Sequence, residues 1–305
     1  MKSRNYILFN VMVLLIACGG AAEVSGPESI PVTEVKLKSG DVTLFVRVVG
    51  DPETSPVMIA LNGGPGMSSH YMSSMERLAG SDLAVVTFDQ RGTGRSTESA
   101  EGYALSASMA DIEAIQNHLK KKKVHLFGHS FGGILAQWYA SLHPDRVRSL
   151  ILMGSGPPAQ SAIAFAQMKL GQRIQQLIQK GIITGPQPTE PVKLLAYILP
   201  AYFSDPAFPI PEEMKQSSFH PEVAGKTYTE SGAWDFREEE KAITCPVLFL
   251  WGEDDPFGLE MADQSKGALV NAPVTFVILK KCGHYWQENM DDFFAHIRKF
   301  IKESQ

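Results

Sequence analysis

The sequence is poor in cysteine and has no large excess of either charge, and these shortages remove several classes of protein at once. Three cysteines in 305 residues cannot build the dense disulfide framework of a small secreted scaffold. The net charge of −5, from 28 Lys and Arg against 33 Asp and Glu, offers no electrostatic footprint for nucleic acid. Nor does it give a charge-driven attraction to an anionic membrane surface. No internal repeat is found, and no group of His, Cys, Asp and Glu has the spacing of a metal cluster. Neither a metal nor any other cofactor is therefore expected. The lysine run Lys120–Lys123 falls at the C-terminal end of a helical stretch, where the helix dipole favours cations. What remains is an ordinary globular balance, 44% hydrophobic and 20% charged, long enough for one large α/β core, or for one core with an inserted subdomain.

The N-terminus departs from that balance. Lys2 and Arg4 precede a mostly apolar run from Tyr6 to Ala17, broken by Asn10. The run is short for a membrane span but suits the apolar part of an export signal. It ends in Leu15-Ile16-Ala17-Cys18 ahead of Gly19-Gly20, which resembles the lipobox of bacterial lipoproteins. That resemblance implies a signal peptide over residues 1–18 and a lipid anchor on Cys18. The protein would then be exported and tethered on the periplasmic or cell-surface side. The alternative is an ordinary signal peptide cleaved near Ala21-Ala22. Residues 19–30, rich in Gly, Ala, Ser, Pro and Glu, read as a flexible tether. The two other cysteines, Cys245 and Cys282, flank successive strands at what would be opposite ends of a parallel sheet. A strand length of roughly 15–20 Å separates such ends, against a disulfide limit of about 7 Å between Cα atoms. Two free, mostly buried thiols are expected.

Beyond the tether, Val32–Leu37 and Val42–Val49, joined by Ser39-Gly40-Asp41, read as a hairpin. Six short apolar runs follow: Val57–Leu61, Leu83–Phe88, Val124–Phe127, Val147–Met153, Val247–Trp251 and Val274–Leu279. They are rich in Val, Ile, Leu and Phe, as strands covered on both faces should be. Between them Met109–Leu119, Ile134–Leu142 and Phe293–Ile301 carry helical spacing. The alternation predicts a mainly parallel, doubly wound α/β sheet. The rhythm breaks over residues 155–242, a helical, apolar and proline-rich stretch that predicts a cap over the substrate site. The core then comprises residues 31–154 and 243–305.

Gly128-His129-Ser130-Phe131-Gly132-Gly133 lies between a strand and a helix, the setting a G-x-S-x-G nucleophile needs. The glycines allow the sharp turn that exposes the serine oxygen. A serine alcohol is a poor nucleophile until a base takes its proton. Among eight histidines, His118, His143 and His296 fall in helices, His125 in a strand and His129 in the elbow itself. His70 and His220 lie in other loops. His284 occupies the loop after the last strand, where the chain order serine, acid, histidine puts the base. The acid must precede it. Gly154-Ser155-Gly156 offers no carboxylate, whereas Gly252-Glu253-Asp254-Asp255-Pro256 offers three. Acyl transfer also needs oxyanion donors. These are the amide of Phe131 and one from Asn62-Gly63-Gly64-Pro65-Gly66, Gly64 first and Gly63 as the alternative.

Three segments together resemble the prolyl aminopeptidase (proline iminopeptidase) family of α/β-hydrolases. Asn62-Gly63-Gly64-Pro65-Gly66 is similar to its His-Gly-Gly-Pro-Gly loop. Asp89-Gln90-Arg91-Gly92-Thr93-Gly94-Arg95-Ser96 is similar to its Asp-Gln-Arg-Gly-x-Gly-x-Ser segment, and the elbow completes the set. The resemblance implies the α/β-hydrolase fold and places the triad aspartate at Asp255, with Asp254 next. It gives the Asp-Gln-Arg-Gly segment a bracing role beneath the site. An aminopeptidase of this kind holds the substrate ammonium with glutamates near the cap. Glu222 and Glu230 are the leading candidates here, followed by Glu190 and Glu238–Glu240. Two departures stand out: Asn62 replaces the histidine, and Pro256 follows the aspartate where some members place a glutamate. The expected function is an aminopeptidase acting on short peptides. An esterase or lactonase for small molecules is the enzymatic alternative, and a binding lipoprotein that retains the fold is the non-enzymatic one.

Overall fold

The computed structural model describes residues 29–304. The proposed signal peptide, Cys18 and most of the tether lie outside the described residues. No helix among the described residues is long and apolar enough to cross a membrane.

The sheet begins with the hairpin β1 (Val32–Ser39) and β2 (Val42–Val49). Then come β3 (Val57–Leu61), β4 (Ala84–Phe88), α1 (Leu105–His118), β5 (Val124–His129), α2 (Phe131–Leu142) and β6 (Val147–Met153). The helical stretch contains α3 (Ile163–Gln179), α4 (Pro191–Ile198), α5 (Glu212–Lys215) and α6 (Pro221–Ser231). The core resumes with β7 (Val247–Gly252), α7 (Leu259–Ala268), β8 (Val274–Leu279) and α8 (Met290–Glu303). The eight strands form one sheet in the order β1-β2-β4-β3-β5-β6-β7-β8. β1, β2 and β4 pair antiparallel and all other neighbours pair parallel.

Strand side chains alternate between two apolar layers, as a period of two requires. Val57, Ile59 and Leu61 of β3 pack with Ile112 and Ile115 of α1 and Leu135 and Tyr139 of α2. Met58 and Ala60 face the other way, against Tyr71, Met72, Met75 and the Phe293, Ile297 and Ile301 stripe of α8. Two local expectations are corrected. β8 is an edge strand with exposed positions at Thr275 and Ile278, because only β7 covers one of its sides. α2 begins at Phe131 rather than Ile134, which brings its positive end directly behind Ser130. Cys245 and Cys282 are free thiols, Cys282 buried and Cys245 partly so, and burial pushes the Cys245 thiol up to about 11.

One buried carboxyl stands out. Glu240 lies in a 3-10 turn (Glu239–Ala242) that packs against α2; it is fully buried, and neither oxygen has a hydrogen-bond partner among the described residues. Burial, helped by the nearby charge of Asp235, raises its pKa from 4.5 to about 8. A folded-state pKa above the unfolded value means the native state holds the proton more tightly. The associated stability is fully present below pH 4.5 and is lost as pH rises through about 8. Glu240→Gln cannot ionise, so its Tm advantage over the parent should grow across that window. Thermal melts at the two ends check it, and parallel pH profiles would count against it.

Candidate active site

Five loops leave the sheet at the carboxyl ends of neighbouring parallel strands, the edge at which open α/β sheets bind ligands. Asn62-Gly63-Gly64 follows β3, Ser130 follows β5, Gly154 follows β6, Asp255 follows β7 and His284 follows β8. Ser130 itself has φ 54° and ψ −118°, a left-handed conformation that a non-glycine residue adopts only when its surroundings impose it. The surroundings do so here. A Cβ on Gly132 would stand 2.1 Å from the Leu61 carbonyl oxygen, so only glycine lets the elbow approach β3 this closely. Gly154 explains the missing carboxylate after β6. Its φ is +51°, and a Cβ there would lie 2.9 Å from His284 Nδ1 and 3.1 Å from Asp255 Oδ2.

Of the three carboxylates after β7, Asp255 alone meets the histidine. His284 Nδ1 donates to Asp255 Oδ2 at 2.8 Å, with both side chains buried. Asp254 instead accepts from Ser204 Oγ at 2.5 Å, and Glu253 accepts from Lys280 Nζ at 2.6 Å. The Phe257 amide donates to the other Asp255 oxygen at 3.0 Å, holding the carboxylate in plane. The bond at Nδ1 leaves His284 Nε2 as the basic nitrogen. His284 and Ser130 line one cavity, although no hydrogen bond joins them in this conformation. Such contacts are often long in ligand-free sites and tighten when substrate arrives.

The Asn62–Gly66 loop, where an oxyanion donor is expected, is held peptide by peptide. The Asn62 carbonyl accepts from Gln90 Nε2 at 2.8 Å, and the Gly63 amide donates to Tyr71 Oη. Asn62 Nδ2 donates to the carbonyls of Gly63, at 3.1 Å, and Met67, at 2.8 Å. A trans peptide is planar, so fixing the Gly63 carbonyl on the protein side turns the Gly64 N–H the opposite way, and Gly64 lines the cavity. Neither the Gly64 nor the Phe131 N–H has an acceptor among the described residues, whereas Gly63 is already engaged. The Asp89–Ser96 segment braces from beneath. Asp89 accepts from the Ser69 amide at 2.8 Å and pairs with Arg95 at 2.8 Å, while Arg91 pairs with buried Asp111 at 2.8 Å.

The helical stretch is stapled to this machinery at two points. Met67 and Phe219 form an antiparallel bridge, with His220 N donating to Gly66 O at 2.8 Å and Ser68 N to Ser218 O at 3.0 Å. On the other side, His284 N donates to Tyr202 O at 2.7 Å. Glu288 accepts from the amides of Ser204, Asp205 and Gly283 at 2.9, 3.0 and 2.7 Å. The enclosed space is about 390 Å³, within the usual range for a small-molecule site. Its walls include Ile134, Ile163, Leu170, Leu194, Ile198, Phe219, Tyr228, Trp251 and Phe257.

No carboxylate lines that cavity, which corrects the expectation for the cap glutamates. Glu222 is largely exposed beside His220, at 3.3 Å. Glu230 is exposed and accepts from the Tyr103 amide at 2.5 Å. Glu190 pairs with Lys193 on the surface, Glu238 with Lys241, and Glu240 is sealed against α2. Helix orientation decided this, and α6 is too weakly amphipathic in sequence to reveal its inward face. Sequence reasoning also missed Tyr71, Gly154 and Glu288. Their roles depend on partners far along the chain, and no local motif marks them.

A family model described as alpha/beta hydrolase fold matches residues 56–289. The chain belongs to that family. This hydrolase is 25% identical over 295 residues to a proline iminopeptidase of Lactobacillus helveticus, covering 89% of this chain and 98% of that protein. Among solved structures, VinJ superposes with a TM-score of 0.74 at 19% identity, over 90% of this chain and 99% of that one. A proline iminopeptidase of Mycobacterium smegmatis superposes with a TM-score of 0.67 at 20% identity, over 89% and 98%. Both superpositions extend over most of the chain and show a shared fold.

Proposed function

We propose that this protein is a serine hydrolase of neutral esters with an apolar acyl group. Ser130 is the nucleophile, His284 the general base and Asp255 the group that orients it. His284 Nε2 takes the Ser130 proton as Oγ attacks the ester carbonyl. The Gly64 and Phe131 amides hold the oxygen that becomes negative. The tetrahedral intermediate collapses, the C–O bond breaks, and the imidazolium returns its proton to the departing alcohol. Water then attacks the acyl-enzyme by the same route and frees the acid. The observation that carries this reading is the cavity wall, which is apolar and lacks any carboxylate. A substrate ammonium would be buried there without a counter-charge, at a cost of several kcal/mol.

A second reading, release of N-terminal residues from short peptides, is favoured by the identity to the Lactobacillus helveticus proline iminopeptidase. The two differ in one measurable ratio. A charge-assisted hydrogen bond to an ammonium contributes about 1.5–3 kcal/mol, so an amine anchor would favour free-amine substrates by roughly 10- to 150-fold. We expect the reverse order: kcat/KM highest for short-chain p-nitrophenyl esters, and higher for N-acetylated than for free prolyl and alanyl anilides. A clear preference for the free amine would establish the peptidase.

A further inference from the structure

The elbow histidine has no part in the chemistry above, yet it is buried and fully bonded. Tyr71, His129 and His284 are 0%, 1% and 2% exposed. His129 Nε2 lies 2.9 Å from the His284 carbonyl oxygen, and its Nδ1 lies 2.8 Å from Tyr71 Oη. Tyr71 Oη in turn takes the Gly63 N–H. Only one assignment of protons satisfies all three contacts. A carbonyl can only accept, so Nε2 carries the hydrogen and Nδ1 must accept. The Tyr71 hydroxyl therefore donates to Nδ1, which leaves its oxygen free for Gly63. The bonds run in sequence from the oxyanion loop through the elbow to the backbone of the general base.

We infer that Tyr71 and His129 are positioning residues that lock the oxyanion loop to the histidine loop, so that donor and base hold their spacing about Ser130. This rests on the serine-hydrolase reading. The two loops follow β3 and β8, which lie on opposite sides of β5 in the sheet, and no ladder bond ties one to the other. The relay spans that gap beneath the nucleophile. Burial and the neighbouring His284 hold the His129 imidazole well below its usual pKa, so the acceptor at Nδ1 persists as pH falls. Edge-on rings of Tyr285 and Trp286 flank Tyr71 and His129 and keep water from substituting for either partner.

The relay supports the tetrahedral state rather than ground-state binding, since an oxyanion exists only after attack. Tyr71→Phe leaves the Gly63 N–H and His129 Nδ1 unpaired and frees the loop to tilt. The expected loss is roughly 10- to 100-fold in kcat per active site, a fraction of the effect of deleting an oxyanion donor, with KM little changed. The experiment compares Tyr71→Phe, His129→Ala, His129→Asn and the Tyr71→Phe/His129→Ala double variant in the full chain. Active sites are counted by complete fluorophosphonate labelling, and an alkyl boronic acid that forms a tetrahedral adduct reports on the oxyanion site. The boronate Ki should rise in parallel with the fall in kcat/KM. The double variant should lose little more than the worse single one, and His129→Asn, which keeps an acceptor near Nδ1, should recover part of the His129→Ala loss. A lower Tm with kcat per titrated site and boronate Ki unchanged would overturn the relay and leave plain packing. If the parent takes up no fluorophosphonate, the serine-hydrolase reading fails instead.

Discussion

Replacing His284 with alanine is expected to lower ester turnover by about 10⁴-fold or more, the largest single loss available in this site. The expectation follows from the position of its Nε2. Nδ1 is committed to Asp255, which leaves Nε2 as the basic nitrogen of a residue that lines the same cavity as Ser130. No second imidazole can substitute. His129 is bonded at both nitrogens, and His125 is held in β5 against Ser149 at 2.7 Å. Ser130→Ala should lose as much turnover and all labelling by a fluorophosphonate. The measurement is single-turnover acylation with a chromogenic ester. A His284→Ala protein that acylates at close to the parental rate would remove the residue from the mechanism.

Asp255→Asn is expected to cost nearly as much, whereas Asp254→Asn should be mild. The neutral asparagine cannot stabilise the imidazolium that forms, and its NH2 donor favours the wrong imidazole tautomer, an effect of about 10⁴-fold in kcat in serine hydrolases with this arrangement. The carboxylate is held by the Phe257 amide and is buried beside Gly154. Asp254 lies one residue away but ties Ser204 of the helical stretch to the core. Its loss should therefore appear in KM and stability rather than in acylation. The reverse ranking in kcat would exchange the two assignments.

Sequence pattern loses resolution among these neighbours. Glu253, Asp254 and Asp255 follow the same strand, and all three are acidic, so composition cannot separate them. They differ in direction. Asp255 turns back toward the sheet and meets His284, while Glu253 turns outward to Lys280. The same limit applied to Gly63 and Gly64. Both are glycines in one loop, and the hydroxyl of Tyr71, which follows in the chain but is brought back by the 3-10 segment at Ser69–Leu78, occupies one amide and spares the other.

The sequence by itself determined the strand alternation, the sheet class and the strand–turn–helix setting of Ser130. These depend on hydrophobic period and glycine placement, which act over a few residues and leave a local record. It also determined that His284 follows the last strand, since chain order survives folding. The resemblance and loop position already pointed to Asp255 and Gly64, and the tertiary structure adds the contacts that set them apart from Asp254 and Gly63. Only the tertiary structure decided that the glutamates of the helical stretch do not line the cavity. Those outcomes depend on side-chain direction and on partners distant in sequence. Burial in low dielectric makes each such choice costly to reverse, and nothing in a linear pattern encodes that direction.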